Sequence, residues 1–151
     1  MDSTDYNIIK ILQNDGRISM KDLAVKVALS PPAVAERVRR LEESGVIQGY
    51  KAVISPEKLG RNINVLINVD MKVQGREKFM DFLKKEDSII ECYHVTGPYC
   101  MILKASLDKM ASLEKLIGQI QVFGDTETFI ILSTPVRDKV IGRLAESPGQ
   151  P

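Results

Sequence analysis

The segment from Ser19 to Gly45 most constrains what this chain can fold into, because it holds two helical patterns separated by a very short turn. In the first pattern, apolar side chains recur at helical spacing from Met20 to Val27, behind Ser19 as a capping residue. The second pattern starts at Ser30 and has prolines in its first turn, where a missing N–H costs nothing. Two short helices joined this tightly predict a helix-turn-helix unit.

The second of these helices carries three arginines within four residues. If its apolar stripe faces the core, the opposite side faces outward, as a helix that enters the DNA major groove requires. The residues that we expect to read base edges lie near the start of the helix: Pro32, Ala33, Glu36 and Arg37. The residues that we expect to contact the phosphate backbone are Ser30, Arg39 and Arg40.

An ordinary helical hairpin with a solvated basic face is the alternative interpretation of the same pattern. The net charge of the chain is only +1, so the DNA hypothesis depends on local placement of the arginines and not on bulk charge. Residues 2–15 form a further amphipathic pattern, capped by Asp2 or Ser3. A third helix would complete a core that two helices cannot build, which favours a DNA-binding domain.

The remainder of the chain predicts a second, α+β domain. Residues 46–54 indicate extended chain, either a short wing or a connecting strand, and turn residues follow. Residues 62–134 alternate as strand, helix, strand, strand, helix, strand, which predicts a ferredoxin-like βαββαβ sheet with both helices on one face. The expected organisation is a helix-turn-helix domain at 1–45, a wing or hinge at 46–61, the βαββαβ domain at 62–135 and a C-terminal tail at 136–151.

The expected sheet has one face without helices, and that face must be covered. A second copy of the chain is the simplest cover, so we expect a homodimer through this domain. The end of the tail, residues 146–151, is expected to be disordered.

The composition of the chain limits which other classes of protein it can belong to. No signal peptide and no long apolar run are found, so we expect a cytoplasmic protein without a membrane partner. Cys92, His94 and Cys100 invite a metal or thiol-enzyme interpretation, but they are too few for a closed zinc site. We therefore expect no metal, no cofactor and no catalytic residues, and we expect the thiols to be reduced. A redox switch is the remaining alternative for the two cysteines.

Three segments together resemble one family: DGRIS at 15–19, LSPPAVAERVRRLEESGVIQGY at 29–50 and HVTGPYCMILK at 94–104. They are similar to the Lrp/AsnC, or feast/famine, transcription regulators of bacteria and archaea. The resemblance implies a C-terminal domain that senses amino acids, forms dimers through its sheet and joins dimers into tetramers or octamers. It also implies an effector site at the loop between the two central strands: Thr96, Gly97, Pro98, Tyr99 and Cys100.

The chain departs from the family pattern at two positions. Ala28 stands in the turn where the family usually has glycine, which costs on the order of 1 kcal/mol if the backbone there is left-handed. Cys100 stands where amino-acid-responsive members commonly have aspartate, and a neutral thiol pairs poorly with an ammonium group. We therefore hypothesise that this chain responds poorly to ordinary amino acids.

Three functions follow from these observations. The leading hypothesis is an oligomeric, sequence-specific DNA-binding transcription regulator with an amino acid or related small effector. The alternative within the DNA-binding class is an architectural, nucleoid-type protein that wraps DNA without an effector, which Cys100 favours. A metabolic enzyme or its regulatory subunit is the third, and the absence of a convergent catalytic set in the sequence argues against it.

Overall fold

The computed structural model describes residues 1–71 and 75–142. They form two compact units, one made of residues 1–53 together with 136–142, the other of residues 54–135. The first unit is helical and the second is built on a sheet. Among the described residues, no helix combines the length and apolar character that a bilayer crossing needs. The predicted disorder of residues 146–151 lies outside the described part of the chain.

Three helices build the helical unit: α1 (Ser3–Asn14), α2 (Met20–Lys26) and α3 (Pro31–Glu43). Each starts behind a polar side chain that accepts a hydrogen bond from a backbone N–H of the first turn, which satisfies a donor that the helix itself leaves free. Their apolar faces share one core, made of Ile8, Leu12, Leu23, Ala24, Val34, Val38 and Leu41. The predicted three-helix domain is confirmed.

The turn between α2 and α3 has a left-handed residue at Ala28, with φ of 54°. A β-carbon is disfavoured in this conformation by roughly 1–2 kcal/mol. The turn is closed by Leu29, whose N–H donates to the carbonyl of Ala24 at 3.0 Å. The position where the family usually has glycine therefore does require a left-handed backbone, and the chain tolerates alanine there.

Residues 46–54 are not a β-strand, contrary to the wing or connecting strand expected from the sequence. A strand needs a hydrogen-bonded neighbour, and the helical unit offers none among its described residues. Instead, the N–H of Ile47 donates to the carbonyl of Leu41 at 3.0 Å, and its side chain packs against the helical core. A short 3₁₀ helix, Glu57–Leu59, and a left-handed Gly60 then lead into the sheet unit.

The sheet unit has the predicted βαββαβ order. Its strands are antiparallel and lie side by side in the order β2-β3-β1-β4. The elements are β1 (Ile63–Met71), α4 (Arg76–Lys85), β2 (Ile89–His94), β3 (Met101–Leu107), α5 (Met110–Gln121) and β4 (Gly124–Ile130). The last strand begins and ends earlier than the predicted 126–134, because Gly124 already pairs with Met71 at the end of β1.

Side chains alternate between the two faces of this sheet, as the strand pleat requires. One face, with Val65, Ile67 and Leu103, is buried together with Phe79 of α4 and Ile120 of α5. The other face, here called the open face, is not covered by a described helix of this unit. Its apolar centre is Leu66, Tyr93, Ile102 and Phe129. Tyr93 and Phe129 are about half exposed.

Candidate DNA-binding face and effector loop

The outer face of α3 is fixed by how the helix is capped and packed. The hydroxyl of Ser30 accepts from the N–H of Ala33 at 3.4 Å, which starts the helix. Val34 and Val38 are buried against the core, so the opposite side is turned outward. The residues exposed on that side are Pro32, Ala33, Glu36 and Arg40. The structure thus brings four of the predicted DNA-contacting residues together on one exposed surface.

Arg39 lies at the edge of this face, between two glutamates of its own helix. Its guanidinium makes two bonds to the Glu36 carboxylate, at 2.7 and 3.0 Å, and also pairs with Glu43. The hydrogen bonds from Arg39 lower the pKa of Glu36, so the pair stays ionised at neutral pH. Glu36 therefore already has a partner in the free protein, and the charge of Arg39 is shared with two carboxylates.

Arg37 is turned away from this outer face, toward the start of α1. Its Nη1 contacts Asp5 Oδ1 at 2.6 Å and Asp2 Oδ2 at 2.8 Å. The two aspartates also cap α1 reciprocally, each accepting from the backbone N–H of the other at 2.9 Å. Arg37 consequently joins the N-terminus of α1 to the middle of α3, which is a different role from the base reader that the sequence suggested.

Arg40 differs from the other two arginines of α3. Within residues 1–71 and 75–142, no carboxylate lies within ion-pair distance of its guanidinium. Its side chain is exposed on the same surface as Pro32 and Ala33. An exposed guanidinium with no ion pair in this part of the chain is available for a phosphate or a guanine edge.

Residues 96–100, here called the effector loop, connect β2 to β3. The N–H of Val95 donates to the carbonyl of Cys100 at 3.1 Å and closes the loop. Gly97 has φ of 136°, a conformation that favours glycine. Thr96, Gly97 and Pro98 are exposed, whereas Tyr99 and Cys100 are half-buried.

The Cys100 side chain points to the backbone of β1 and not to the outside of the loop. Its Sγ accepts from the N–H of Met71 at 3.4 Å and lies 3.5 Å from the carbonyl oxygen of Val69, to which the thiol donates. The Cys100 N–H donates to the same carbonyl at 3.2 Å. The thiol therefore has a structural role at the ends of the two central strands, β1 and β3, which explains how a neutral side chain is accommodated here.

Tyr99 brings a carboxylate to the effector loop that the sequence did not reveal. Its hydroxyl donates to Glu127 Oε2 at 2.7 Å, although the two residues are far apart in sequence. This bond to Glu127 raises the pKa of Tyr99, and burial and the nearby Asp70 raise it further. Glu127 and Asp70 lie on adjacent strands and on the open face. Acidic groups are thus present beside the loop, though not at position 100.

The described part of the structure does not support a metal site or a reactive-thiol site. In the described part of the chain, no three metal-ligating side chains come together. Cys92 and Cys100 are both free thiols. Burial raises the pKa of Cys92, and proximity to Cys100 raises it further, which lowers the fraction of reactive thiolate.

Comparison with known sequences assigns both units. Residues 1–48 match the model of winged helix-turn-helix DNA-binding domains, and residues 64–141 match that of Lrp/AsnC ligand-binding domains. The transcriptional regulator LrpC of Bacillus subtilis is 34% identical over 133 residues, which span 88% of this chain and 92% of that protein. The leucine-responsive regulatory protein of Escherichia coli is 35% identical over 139 residues, spanning 87% and 85%.

Solved structures agree with this assignment. LrpC of B. subtilis superposes with a TM-score of 0.85 at 34% identity, over 89% of this chain and 96% of that one. A transcriptional regulator of Neisseria meningitidis, solved as a complex with L-Met, gives a TM-score of 0.88 at 25% identity, over 93% and 96%.

A helix-turn-helix unit followed by a ligand-binding ferredoxin-like domain defines a DNA-binding transcription regulator with its own sensing module. The chain belongs to the Lrp/AsnC family of such regulators. The leading prediction from the sequence, a transcription regulator of this type and not an enzyme, is confirmed. No comparison supports the alternative of an architectural protein without an effector.

Proposed function

We propose that this regulator contacts DNA through the outer face of α3, with Arg40 as its principal cation. The observation that carries the proposal is the contrast among the three arginines: only for Arg40 is the guanidinium both exposed and free of an ion pair within the described residues. Pro32 and Ala33 would meet bases beside it, and Ser30 a phosphate. Glu36 and Arg39 would contact DNA only after breaking the hydrogen bonds that join them to each other. Arg37 holds α3 in place.

Replacing Arg40 tests the DNA-contacting face. Arg40→Ala should weaken binding to the operator on the order of tenfold at fixed salt, and should reduce the salt dependence, because one cation per subunit no longer displaces a counterion. Arg76→Ala is the matched control, since Arg76 is an exposed arginine of the sheet unit. Fluorescence-anisotropy titrations at several salt concentrations measure both quantities. Equal affinities for Arg40→Ala and Arg76→Ala would contradict the proposal.

We further propose that the open face of the sheet is an interface between two copies of the chain, with dimers joining into tetramers or octamers. Its exposed centre contains Phe129 and Tyr93, and burying such rings is a major source of association energy. Light scattering should report at least a dimer. Phe129→Asp should lower that mass, whereas Val122→Asp, an equally apolar exposed position at the end of α5, should not. A monomeric unmodified chain would exclude this interface.

The effector, we propose, is an amino acid or a related small molecule that binds at the effector loop, as the L-Met complex of the N. meningitidis relative supports. The ammonium group would be paired with Glu127, which Tyr99 holds at 2.7 Å beside the loop, and not with residue 100. We also keep the prediction that the chain responds poorly to ordinary amino acids. Calorimetric titration with amino acids tests both the effector proposal and this prediction. A regulator of this kind would act in the cytoplasm, where its DNA is.

A further inference from the structure

The helix α3 carries as many carboxylates as guanidinium groups, which is unusual for a helix that contacts DNA. Its charged residues are Glu36, Arg37, Arg39, Arg40, Glu42 and Glu43. Because Arg37 is paired with Asp2 and Asp5, the charges that remain on the helix are two cations and three carboxylates. Attraction between cations and phosphates supplies nearly all of the affinity for DNA of unrelated sequence. Carboxylates on this helix therefore lower that affinity.

Two of these carboxylates hold Arg39 from both sides along α3. Arg39 follows Glu36 by three residues and precedes Glu43 by four, spacings that put the three side chains on one side of the helix. Arg39 Nε and Nη2 donate to the two oxygens of Glu36, at 3.0 and 2.7 Å, and Arg39 Nη1 pairs with Glu43. Each nitrogen of the guanidinium thus donates to a carboxylate of its own helix. The three residues are here called the Glu-Arg-Glu cluster.

The cluster is open to solvent, so its bonds compete directly with DNA phosphates. The side chains of Glu36, Arg39 and Glu43 are 52%, 55% and 59% exposed. Ion pairs as exposed as these stabilise a fold little, and salt screens them. A phosphate offers a guanidinium the same bidentate geometry as a carboxylate does. When Arg39 turns to a phosphate, however, Glu36 loses its partner beside the negatively charged backbone, which opposes the contact.

The size of this opposition depends on the base that Glu36 meets. Glu36 lies on the same exposed surface as Pro32 and Arg40, in the first half of α3, where a recognition helix contacts base edges. An ionised carboxylate only accepts hydrogen bonds. In the major groove, only the amino groups of cytosine and adenine donate them, whereas guanine and thymine present acceptors. A cytosine or adenine at this position would give Glu36 a new partner, and the other two bases would not.

We propose that the Glu-Arg-Glu cluster is a selectivity element that suppresses binding to DNA of unrelated sequence. On such DNA, Arg39 stays with its two glutamates and adds no phosphate contact. On a site that presents a cytosine or adenine amino group to Glu36, that group replaces Arg39 as the partner of Glu36, and Arg39 is released to a phosphate. This inference rests on the proposed DNA-contacting face and adds a determinant of which sequences that face accepts.

Binding to two duplexes tests the cluster. One duplex is selected from a random pool by the unmodified full chain, and the other has mixed sequence without the selected site. Glu36→Gln keeps the shape of the side chain but removes the charge that holds Arg39. It should tighten binding to the mixed-sequence duplex on the order of tenfold at fixed salt and steepen the salt dependence, because Arg39 then displaces a counterion. The selected duplex gains no such contact, so the ratio of the two affinities should fall by a similar factor.

Two controls separate the cluster from the general effect of removing a negative charge. Glu42→Gln makes the same change on the same helix, but Glu42 accepts from the Tyr50 hydroxyl at 2.9 Å, whereas the described bonds of Arg39 go to Glu36 and Glu43. It should change the ratio of affinities less than twofold. When Arg39→Ala is added to Glu36→Gln, the tightening on the mixed-sequence duplex should shrink to the effect of Glu42→Gln. Equal effects of Glu36→Gln and Glu42→Gln would overturn the proposal.

Repeating the selection with Glu36→Gln tests the role of the base. We expect the preference to relax at a base pair where the unmodified chain selects cytosine or adenine, and to stay the same elsewhere. An unchanged preference at every base pair would show that Glu36 meets no base amino group and would also overturn the proposal.

The Arg40→Ala titration distinguishes a failure of the cluster from a failure of the DNA-contacting face. If Arg40→Ala weakens binding while Glu36→Gln leaves the ratio of affinities unchanged, the face stands and the cluster is not a selectivity element. If neither substitution changes binding to either duplex, the outer face of α3 does not contact DNA, and both proposals are overturned.

Discussion

The helical unit and the sheet unit hold their functional segments in different ways. In the helical unit, α3 is held by side chains: Val34, Val38 and Leu41 pack in the core, Arg37 reaches both Asp2 and Asp5, and Ser30 caps the helix. In the sheet unit, the effector loop is held mainly by backbone, since its closing bond joins Val95 to a main-chain carbonyl and the Cys100 thiol also contacts main-chain groups of β1.

This difference teaches which substitutions each unit should tolerate. A segment held by backbone pairing is insensitive to many side-chain changes, but it is sensitive to any group that pushes two strands apart. A segment held by side chains responds in the opposite way. It tolerates small changes in its distance from neighbouring elements, but the loss of one charged side chain leaves that side chain's partners without a counter-charge. Three substitutions test this contrast, beginning with the largest expected effect.

Gly124 should be the most sensitive position in the sheet unit. A β-carbon there would overlap the carbonyl oxygen of Asp70 on the neighbouring strand. Gly124→Ala should therefore lower the free energy of unfolding by about 1–3 kcal/mol, as overpacking typically does. Gly118→Ala, in α5, meets nothing within 4 Å and should stabilise the chain by up to about 1 kcal/mol. Denaturant unfolding measures both, and an equally stable Gly124→Ala variant would refute the contrast.

Glu127 should matter more for effector binding than Cys100. Glu127→Gln removes the charge that the proposal pairs with an ammonium group, and should weaken amino-acid binding on the order of tenfold in calorimetry. Cys100→Ser should bind as the unmodified chain does, because a hydroxyl can make the same two backbone contacts. If Cys100→Ser weakened amino-acid binding more than Glu127→Gln did, residue 100 and not Glu127 would be the effector contact. Micromolar binding of common amino acids by the unmodified chain would overturn the expected poor response.

Arg37 should give the smallest effect, one that depends on pH. The pKa of Asp2 is lowered by its capping bond with Asp5 and by Arg37; for Asp5, burial opposes the lowering, but the bonds from Asp2 and Arg37 outweigh it. A lowered pKa in the folded state stabilises the fold above about pH 4, and this stabilisation is lost as the pH falls through the lowered value.

The Arg37 prediction follows from that sign. Arg37→Gln should lower the melting temperature by a few degrees at neutral pH. The difference from the unmodified chain should shrink below about pH 4, as both aspartates become protonated. Arg40→Gln is the control and should melt like the unmodified chain at every pH. A difference that persists unchanged in acid would mean that Arg37 acts through packing and not through its ion pairs.

Much of the architecture could be predicted from the sequence because it depends on local patterns. The spacing of Val34, Val38 and Leu41 fixed which side of α3 faces outward, and the βαββαβ order followed from alternating periodicities. The resemblance to the family raised a left-handed backbone at Ala28 as a condition, and the structure meets it, with φ of 54°. These features involve neighbours in sequence, so a single chain reveals them.

The partners of individual side chains could not be predicted in the same way. Arg37 and Asp5 are 32 positions apart, and Tyr99 and Glu127 are 28 apart. Such contacts depend on how helices cross and how strands register, which periodicity does not determine. The strand expected at 46–54 is absent for a related reason: its alternation was present, but the described residues of the helical unit include no strand that could pair with it.

The return of the chain at residue 136 has a practical consequence for dissecting this protein. The DNA-binding unit is discontinuous in sequence, since Gln13 contacts Ile141 across 128 positions. An excised N-terminal fragment ending near the hinge would therefore be an incomplete unit, with an uncovered Gln13 carboxamide. Fusing residues 136–142 back onto such a fragment through a flexible linker would restore the missing piece and yield a more faithful isolated DNA-binding module.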